Sequence, residues 1–129
     1  MGMEIVRYMG YFYILGTVIF AVIGQICIKW RVMQYGSIPS GMLEKFSFVA
    51  KVIVDPYVLL GFLAAFLSSV FWIGAMSKFE LSFAYPFTSL SFILIMLASY
   101  FIFNESITTY KIIGLLFIVA GIIITSRSA

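Results

Sequence analysis

The chain has 129 residues, of which 64% are hydrophobic and 10% charged, and its net charge is +3. A soluble domain carries roughly 25% charged residues, so this composition excludes a water-soluble globule and indicates one integral membrane domain. There is no histidine and only one cysteine, Cys27, which excludes an internal disulfide, a Cys/His zinc site and a Ser/His/Asp catalytic set. We therefore expect no catalytic residue, metal, cofactor or enzymatic activity.

Four apolar stretches predict an all-α fold, an integral membrane bundle of four transmembrane helices in a single domain over residues 1–129. The stretches cover residues 8–29, 56–77, 82–103 and 109–126. A helix needs roughly 20 apolar residues to cross the hydrocarbon core. The apolar runs are continuous and do not alternate with polar residues, which favours helices over the strands of a membrane barrel.

The first loop of this bundle carries a pattern of its own. Apolar residues recur at helical spacing between positions 42 and 54, with charged residues between them. This pattern predicts a short amphipathic helix lying in the membrane interface, although an early extension of the second membrane helix would give a similar pattern. Asp55 followed by Pro56 predicts the start of that second helix, with Asp55 as its N-cap.

The cations divide unequally between the two ends of the bundle. The end that holds the first and third loops carries Lys29, Arg31, Lys45, Lys51 and Lys111, and the other end carries Arg7, Lys78 and Arg127. By the positive-inside rule this distribution favours a cytoplasmic first loop by a thin margin. Such loop cations typically set membrane orientation, so we expect no nucleic-acid partner.

Polar residues of the first membrane helix are candidates for substrate binding. Gln25 and Lys29 lie four residues apart and therefore on one face of the helix. An amide is costly in lipid, so Gln25 either lines a substrate path with Lys29 at its mouth or bonds a neighbouring helix. Lys29 and Arg31 together can hold a phosphate by charge-assisted hydrogen bonds.

The third span has a proline near its start. Pro86 lacks a backbone donor and predicts a kinked or loosened first turn. Tyr85 and Ser89 flank this proline, and Trp72 lies on the second span. These three side chains either contact a sugar or phosphate or make polar and packing contacts between helices.

The last part of the chain offers an acid and two glycines. Glu105 ends the third span, where the helix dipole disfavours an acid, so we expect a compensating partner such as Lys111, Lys29 or the start of the fourth helix. Thr108 or Thr109 is predicted to cap that fourth helix. Gly114 and Gly121, seven residues apart, permit close helix approach, either inside the monomer or in a dimer.

Several of these segments together resemble the drug/metabolite transporter superfamily. They are Ala21–Lys29, Ala84–Pro86, Phe103–Glu105 and Gly114–Gly121, which occur in the order that this superfamily shows. One four-helix branch, the small multidrug resistance family, exchanges protons for cations through a glutamate of the first helix. Ala21 occupies the matching position here, and Thr88 replaces an aromatic residue of that family, so proton-coupled drug export is disfavoured.

The chain is more similar to a second branch, the subunits that flip undecaprenyl phosphate-linked aminoarabinose. Gly24–Lys29, Ala84–Pro86 and Leu90–Phe92 carry this resemblance. It implies a lipid-linked sugar phosphate as substrate, the bacterial inner membrane as location, and a homodimer or a heterodimer with a sister subunit. The residues that we predict to bind this substrate are Gln25, Lys29, Arg31, Trp72, Tyr85, Ser89 and Glu105. A small-molecule exporter or a membrane scaffold subunit remains an alternative function.

A transporter and a scaffold subunit make different predictions for two side chains. A transporter should leave Gln25 and Tyr85 facing a wet or lipid-open cavity, because each would contact a polar cargo. A scaffold subunit should bury both among other helices.

Overall fold

The computed structural model describes residues 2–127, and this part of the chain is helical with short connections. The elements are α1 (Gly2–Tyr35), α2 (Met42–Ile53), α3 (Pro56–Met76), α4 (Leu81–Ala84), a 3-10 turn (Tyr85–Ser89), α5 (Leu90–Phe103) and α6 (Thr109–Ser126). Four spans are long and apolar enough to cross a membrane: α1, α3, α4 through α5, and α6. The predicted fold class is confirmed, and the protein is a multi-pass membrane protein.

The first helix extends beyond the predicted residues 8–29 at both ends. Its 34 residues correspond to about 51 Å at 1.5 Å per residue, whereas a hydrocarbon core is about 30 Å thick. An apolar stretch marks only the part of a helix that lies in lipid. The ends of α1 are therefore expected to project beyond the core, with Lys29 near the interface.

The start of α3 follows the predicted capping pattern. The Asp55 side chain accepts hydrogen bonds from the backbone N–H groups of Tyr57 at 2.9 Å and Val58 at 3.4 Å, and Pro56 begins the helix. The residues between Ile53 and Pro56 separate α2 from α3, so α2 is a helix of its own and not an extension of α3.

The helix α2 keeps much of its apolar surface exposed. Met42, Leu43 and Phe46 are among its exposed side chains, whereas Val52 is buried. Charged residues occupy other positions of the same helix, including Glu44 near its start. An exposed apolar surface on a charged helix suits a position at the boundary between lipid headgroups and acyl chains.

The antiparallel pair α1 and α3 is the most closely packed part of the bundle. Gly24 and Gly61 meet at one level, where a Cβ added to Gly24 would lie 2.8 Å from the Gly61 carbonyl oxygen. Farther along, the Phe71 ring occupies the space above Gly16. Next to Gly16, the Ser68 hydroxyl donates a 2.7 Å hydrogen bond to the Thr17 carbonyl. Small residues and one buried hydroxyl therefore hold these helices together, as is common in lipid.

The third span is interrupted where Pro86 predicts a loosened turn. The backbone forms a 3-10 turn over Tyr85–Ser89, and the Thr88 hydroxyl donates to the Tyr85 carbonyl at 2.6 Å. This prediction is confirmed, because proline cannot donate the backbone hydrogen bond of a regular helix. Ala84, directly before the turn, is fully buried in the core with Ile14 and Val18 of α1.

The last helix lies at the edge of the bundle. It begins at the predicted cap, where the Thr108 hydroxyl accepts from the Lys111 backbone N–H at 3.2 Å. Its main contacts are with the 3-10 turn and α5. Within residues 2–127, no atom lies within 4 Å of a Cβ added to Gly114 or Gly121. These glycines therefore do not serve packing within the described monomer.

Candidate functional site

A groove lined by polar side chains opens between α1, α5 and the start of α6, at the end of the bundle that holds the first and third loops. It consists of pockets of about 230 Å³ and 160 Å³ that share Ile95, Ser99 and Glu105. Its principal polar side chains are Gln25, Lys29, Ser99, Glu105 and Lys111. We call it the polar groove.

The end of α5 turns Glu105 back toward α1. Asn104 adopts a left-handed conformation with φ 55°, and the backbone N–H of Glu105 donates to the Ser99 carbonyl at 3.0 Å. This geometry is a typical helix C-terminus, in which asparagine tolerates a positive φ. Oε1 of Glu105 then lies 3.7 Å from Nζ of Lys29. Lys29 is thus one of the partners expected from the sequence for this acid.

The polar groove carries two ammonium groups and one carboxylate. Lys111 lies beside Glu105, and its Nζ donates to the Ser106 carbonyl at 2.9 Å. Lys29 and Glu105 stay 53% and 41% exposed, so their ion pair is loose and open to the groove. Gln25, one helical turn before Lys29, is also exposed and lines the same space. An arrangement of this kind can bind an anion that approaches from the interface.

An apolar gap lies farther along the α1–α5 contact. Its volume is about 480 Å³, and it is lined by Tyr11, Ile14, Leu15, Val18, Phe87, Leu90, Ile93 and Leu94. Tyr11, Ile14, Val18, Gln25 and Lys29 recur along α1 at intervals of three, four and seven residues, so they share one face of the helix. The same side of α1 is therefore charged at one end and apolar along the rest.

Arg31 lies outside this groove. Its Nε donates to Asp55 Oδ2 at 2.9 Å, its Nη1 donates to Gln34 at 2.6 Å, and its guanidinium lies 5.0 Å from the Tyr57 ring centroid. The Tyr35 hydroxyl also donates to Asp55. Arg31 is thus engaged in joining the end of α1 to the start of α3, and its predicted role in phosphate binding stays a prediction.

The environment of Asp55 favours its charged form. Asp55 is only 5% exposed, and this burial acts to raise the pKa of the carboxyl. Hydrogen bonds from Tyr35, Arg31 and two backbone N–H groups outweigh burial and lower the pKa from 3.8 to about 2. Asp55 therefore remains an anion at neutral pH and holds both helices.

The other predicted site residues lie toward the opposite end of the bundle. Trp72 and Tyr85 pack edge to face, with ring centroids 6.1 Å apart, and Ser89 ends the 3-10 turn that Tyr85 begins. Trp72 follows Gly61, which faces Gly24, by eleven residues or about 16 Å of helix. The predicted binding residues therefore separate into the polar groove, the Arg31 contact and this aromatic pair.

One side chain of the polar groove, Lys111, was not among the residues predicted to bind substrate, whereas Ser99 lies on the predicted polar face of the third span. Ser99 shares a face of the third span with Ser89 and Met96, and Lys111 is six residues from Glu105. Both signals are visible in the sequence. They indicate a shared site only once Glu105 is known to face α1. From the sequence alone, the end of α5 could equally have turned Glu105 toward lipid.

Most of the chain resembles a known family of membrane proteins. Residues 38–127, which include α2 through α6, match the EamA-like transporter family. The chain belongs to the EamA-like transporter family. The matched segment contains Glu105 and Lys111, whereas Gln25 and Lys29 come from the helix before it. No protein of known structure matches the chain significantly.

Three curated relatives of this EamA-like chain carry the name "Probable 4-amino-4-deoxy-L-arabinose-phosphoundecaprenol flippase subunit". A relative with the suffix ArnF from Erwinia tasmaniensis is 33% identical over 90% of this chain and 93% of its own length. An ArnE relative from Proteus mirabilis is 28% identical over 94% of this chain and its full length. One from Pseudomonas aeruginosa is 37% identical, but the match spans 58% of this chain and 65% of that relative.

Proposed function

We propose that this EamA-like protein is a flippase subunit that moves a polyprenyl phosphate-linked sugar across the bacterial inner membrane. The observation that carries the proposal is the face of α1 that ends in the polar groove and continues into an apolar gap. A lipid-linked sugar phosphate has the matching form, with an anionic, hydroxyl-rich head and a long apolar tail. The names of the curated relatives support the same class of cargo.

The proposal assigns the phosphate, the sugar and the lipid tail of the substrate to different parts of the protein. Lys29 and Lys111 attract the phosphate, since ammonium groups form charge-assisted hydrogen bonds with phosphate oxygens. Gln25 and Ser99 offer an amide and a hydroxyl to the sugar. The tail remains in lipid beside the apolar gap between α1 and α5. Gln25 is exposed and lines the polar groove, as expected of a transporter. Tyr85 is 63% exposed beside Trp72, outside the polar groove.

Head-group flipping in proteoliposomes tests this function. Wild-type protein is expected to move a short-chain polyprenyl phosphate sugar between leaflets, measured by access of the sugar to a membrane-impermeant oxidant. Lys29→Ala and Gln25→Ala are each expected to slow flipping by about tenfold or more, because each removes a contact to the crossing head group. Lys45→Ala, an exposed cation of α2 outside the polar groove, is the matched control and is expected to retain the wild-type rate.

The outcomes separate the function from the site. If wild-type liposomes show no flipping, the proposal is overturned for the chain acting without a sister subunit. If flipping occurs but Lys29→Ala and Gln25→Ala retain the wild-type rate, the polar groove is not the binding site. A uniform loss in all three variants would indicate damage to the protein and is checked by the amount of folded protein that elutes from a sizing column.

We further propose that the protein works as a dimer, with itself or with a sister subunit, through the glycine face of α6. Gly114 and Gly121 are exposed on the described monomer and have open space above them. Phe117, 75% exposed, lies between them at helical spacing on the same face. Small residues beside an exposed aromatic ring suit close helix contact in lipid.

Leucine at both glycines is expected to reduce dimerisation about tenfold, which corresponds to about 1.4 kcal/mol. The physical reason is that the larger side chains separate two α6 helices that otherwise approach closely. Dimerisation is measured by disulfide cross-linking through Phe117→Cys, on a Cys27→Ser background that removes the only native thiol. An unchanged cross-linked fraction in the double variant would remove α6 as the dimer face.

A further inference from the structure

A second cavity that carries cations lies at the other end of the bundle from the polar groove. Its volume is about 650 Å³, and it opens between the first turns of α1 and the loop that joins α3 to α4. The described residues that line it are Gly2, Met3, Val6, Arg7, Lys78 and Phe79. Arg7 and Lys29 are 22 residues apart along α1, or about 33 Å of helix. We call this space the basic cavity.

Packing of the α3–α4 loop on α1 brings the two cations of the basic cavity together. The Phe79 ring fills the space above Gly10, where an added Cβ would lie 2.5 Å from a ring carbon and 3.2 Å from the Cβ of Lys78. The Phe79 ring also contacts Tyr11, with ring centroids 5.1 Å apart. Arg7 precedes Gly10 by three residues and therefore lies on the same side of α1. The aromatic contact thus holds Lys78 beside the part of α1 that carries Arg7.

Neither cation of the basic cavity has an anionic partner within residues 2–127. The ion pairs of this part of the chain lie at the other end of the bundle. Arg7 and Lys78 are both exposed. Glu4 and Glu80, the carboxylates nearest to them in sequence, form no ion pair with them and are not part of the described lining. Because neighbouring like charges repel each other, an anion that contacts both cations is favoured here.

The apolar part of the basic cavity suits a hydrocarbon chain. Met3 is 88% exposed and Val6 is 44% exposed, and the Phe79 ring lines the same space. A volume of about 650 Å³ falls within the range of roughly 300–1,000 Å³ that is typical of sites for small organic molecules. It is larger than an inorganic phosphate ion needs. The cavity therefore suits an anion that carries apolar atoms beside its charge.

We propose that the basic cavity binds an anionic phospholipid of the surrounding membrane. The lipid phosphate lies between Arg7 and Lys78, where the guanidinium can donate two parallel hydrogen bonds and the ammonium can donate another. An acyl chain runs along Met3 and Val6. Cationic pockets between membrane helices are suited to anionic lipid head groups in this way. The site is separate from the polar groove, and the inference does not depend on the proposed function.

Two lipids that differ in net charge test the proposal. Delipidated protein in detergent is titrated with phosphatidylglycerol or with phosphatidylcholine, and the lipid-bound fraction is measured by native mass spectrometry. Wild-type protein is expected to bind phosphatidylglycerol at least about tenfold more tightly, because this lipid is an anion and phosphatidylcholine has no net charge. The double variant Arg7→Gln with Lys78→Gln is expected to bring the ratio of the two dissociation constants close to one.

Three further variants separate the basic cavity from general effects of charge. Lys45→Gln with Arg127→Gln removes the same charge from exposed positions outside the cavity and is expected to retain the wild-type ratio. Arg7→Lys keeps the charge and is expected to retain most of the preference. Val6→Ser removes apolar lining but no charge, so it is expected to weaken the binding of both lipids by a similar factor.

Three results would overturn the proposal. The first is equal affinity of wild-type protein for the two lipids, and the second is an unchanged ratio in the double variant of Arg7 and Lys78. The third is displacement of phosphatidylglycerol by an equal concentration of inorganic phosphate, which would assign the cavity to a free anion. The flipping assay is measured separately, so failure of this proposal leaves the flippase proposal standing.

Discussion

Substitution of Gly24 by leucine is expected to lower the free energy of unfolding by about 1–3 kcal/mol, the usual cost of overpacking a well-packed contact. A Cβ at this position would lie 2.8 Å from the carbonyl oxygen of Gly61 and 3.4 Å from the backbone nitrogen of Ala65. Both neighbours are backbone atoms, so no side chain can rotate away to make room. The helices α1 and α3 would have to separate at this contact.

Gly114→Leu is the matched control for this substitution. It places the same side chain in the interior of a membrane helix, but no atom of residues 2–127 lies within 4 Å of its Cβ. The intrinsic gain of replacing a helical glycine is the same at both positions. Unfolding is followed by circular dichroism in mixed micelles, at a dilution where the chain is monomeric. Equal stabilities for the two variants would contradict close packing of α1 against α3.

Asp55→Ala is expected to cause the second large loss, lowering the midpoint of thermal unfolding by about 5 °C or more. The substitution removes the N-cap of α3 and leaves the Arg31 guanidinium without its carboxylate. Asp55→Asn keeps a capping side chain but loses the charge, so a smaller loss is expected. Tyr35→Phe removes one hydrogen-bond donor to Asp55 and is expected to lower the unfolding midpoint least of the three. The ranking is measured by the protein that remains soluble after heating in detergent.

The same contact gives a defined dependence on pH. The pKa of Asp55 is lowered from 3.8 to about 2 on folding, so its charged form stabilises the folded protein above pH 4. This stabilisation is lost as the pH falls through about 2, where the folded protein also takes up the proton. The difference in thermal stability between wild type and Asp55→Asn is therefore expected to shrink from pH 5 to pH 2. A difference that stays constant over this range would show that the Asp55 charge does not stabilise the fold.

Features that depend on neighbouring residues were accessible from the sequence. The cap at Asp55, the cap at Thr108 and the broken turn at Pro86 each follow from the chemistry of a few adjacent residues. The four spans follow from the length of their apolar runs. The bounds of α1 could not be predicted in this way, because the helix continues beyond its apolar stretch through segments that contain polar residues.

The composition of the polar groove was only partly accessible. Helical spacing predicts on which side of a helix a residue lies. It does not predict which residues of a neighbouring helix lie at the same height along the bundle. Tyr85 and Gln25 both lie on polar faces, yet Tyr85 pairs with Trp72 nearer the opposite end. Arg31 has the features of a phosphate ligand, yet it binds Asp55, 24 positions away along the chain. Such pairings depend on how the helices pack.

The uneven packing of the four spans also affects how the molecule can deform. The pair α1 and α3 interlocks through glycines and a buried hydrogen bond, whereas α6 contacts the remainder mainly beside a 3-10 turn. Motion therefore concentrates where few interactions must break. The pair α1 and α3 is therefore expected to be the more rigid part of the bundle, and α6 the part that moves at the lower energetic cost. Since Lys111 belongs to α6 and Lys29 to α1, such a motion would change the distance between these two ammonium groups.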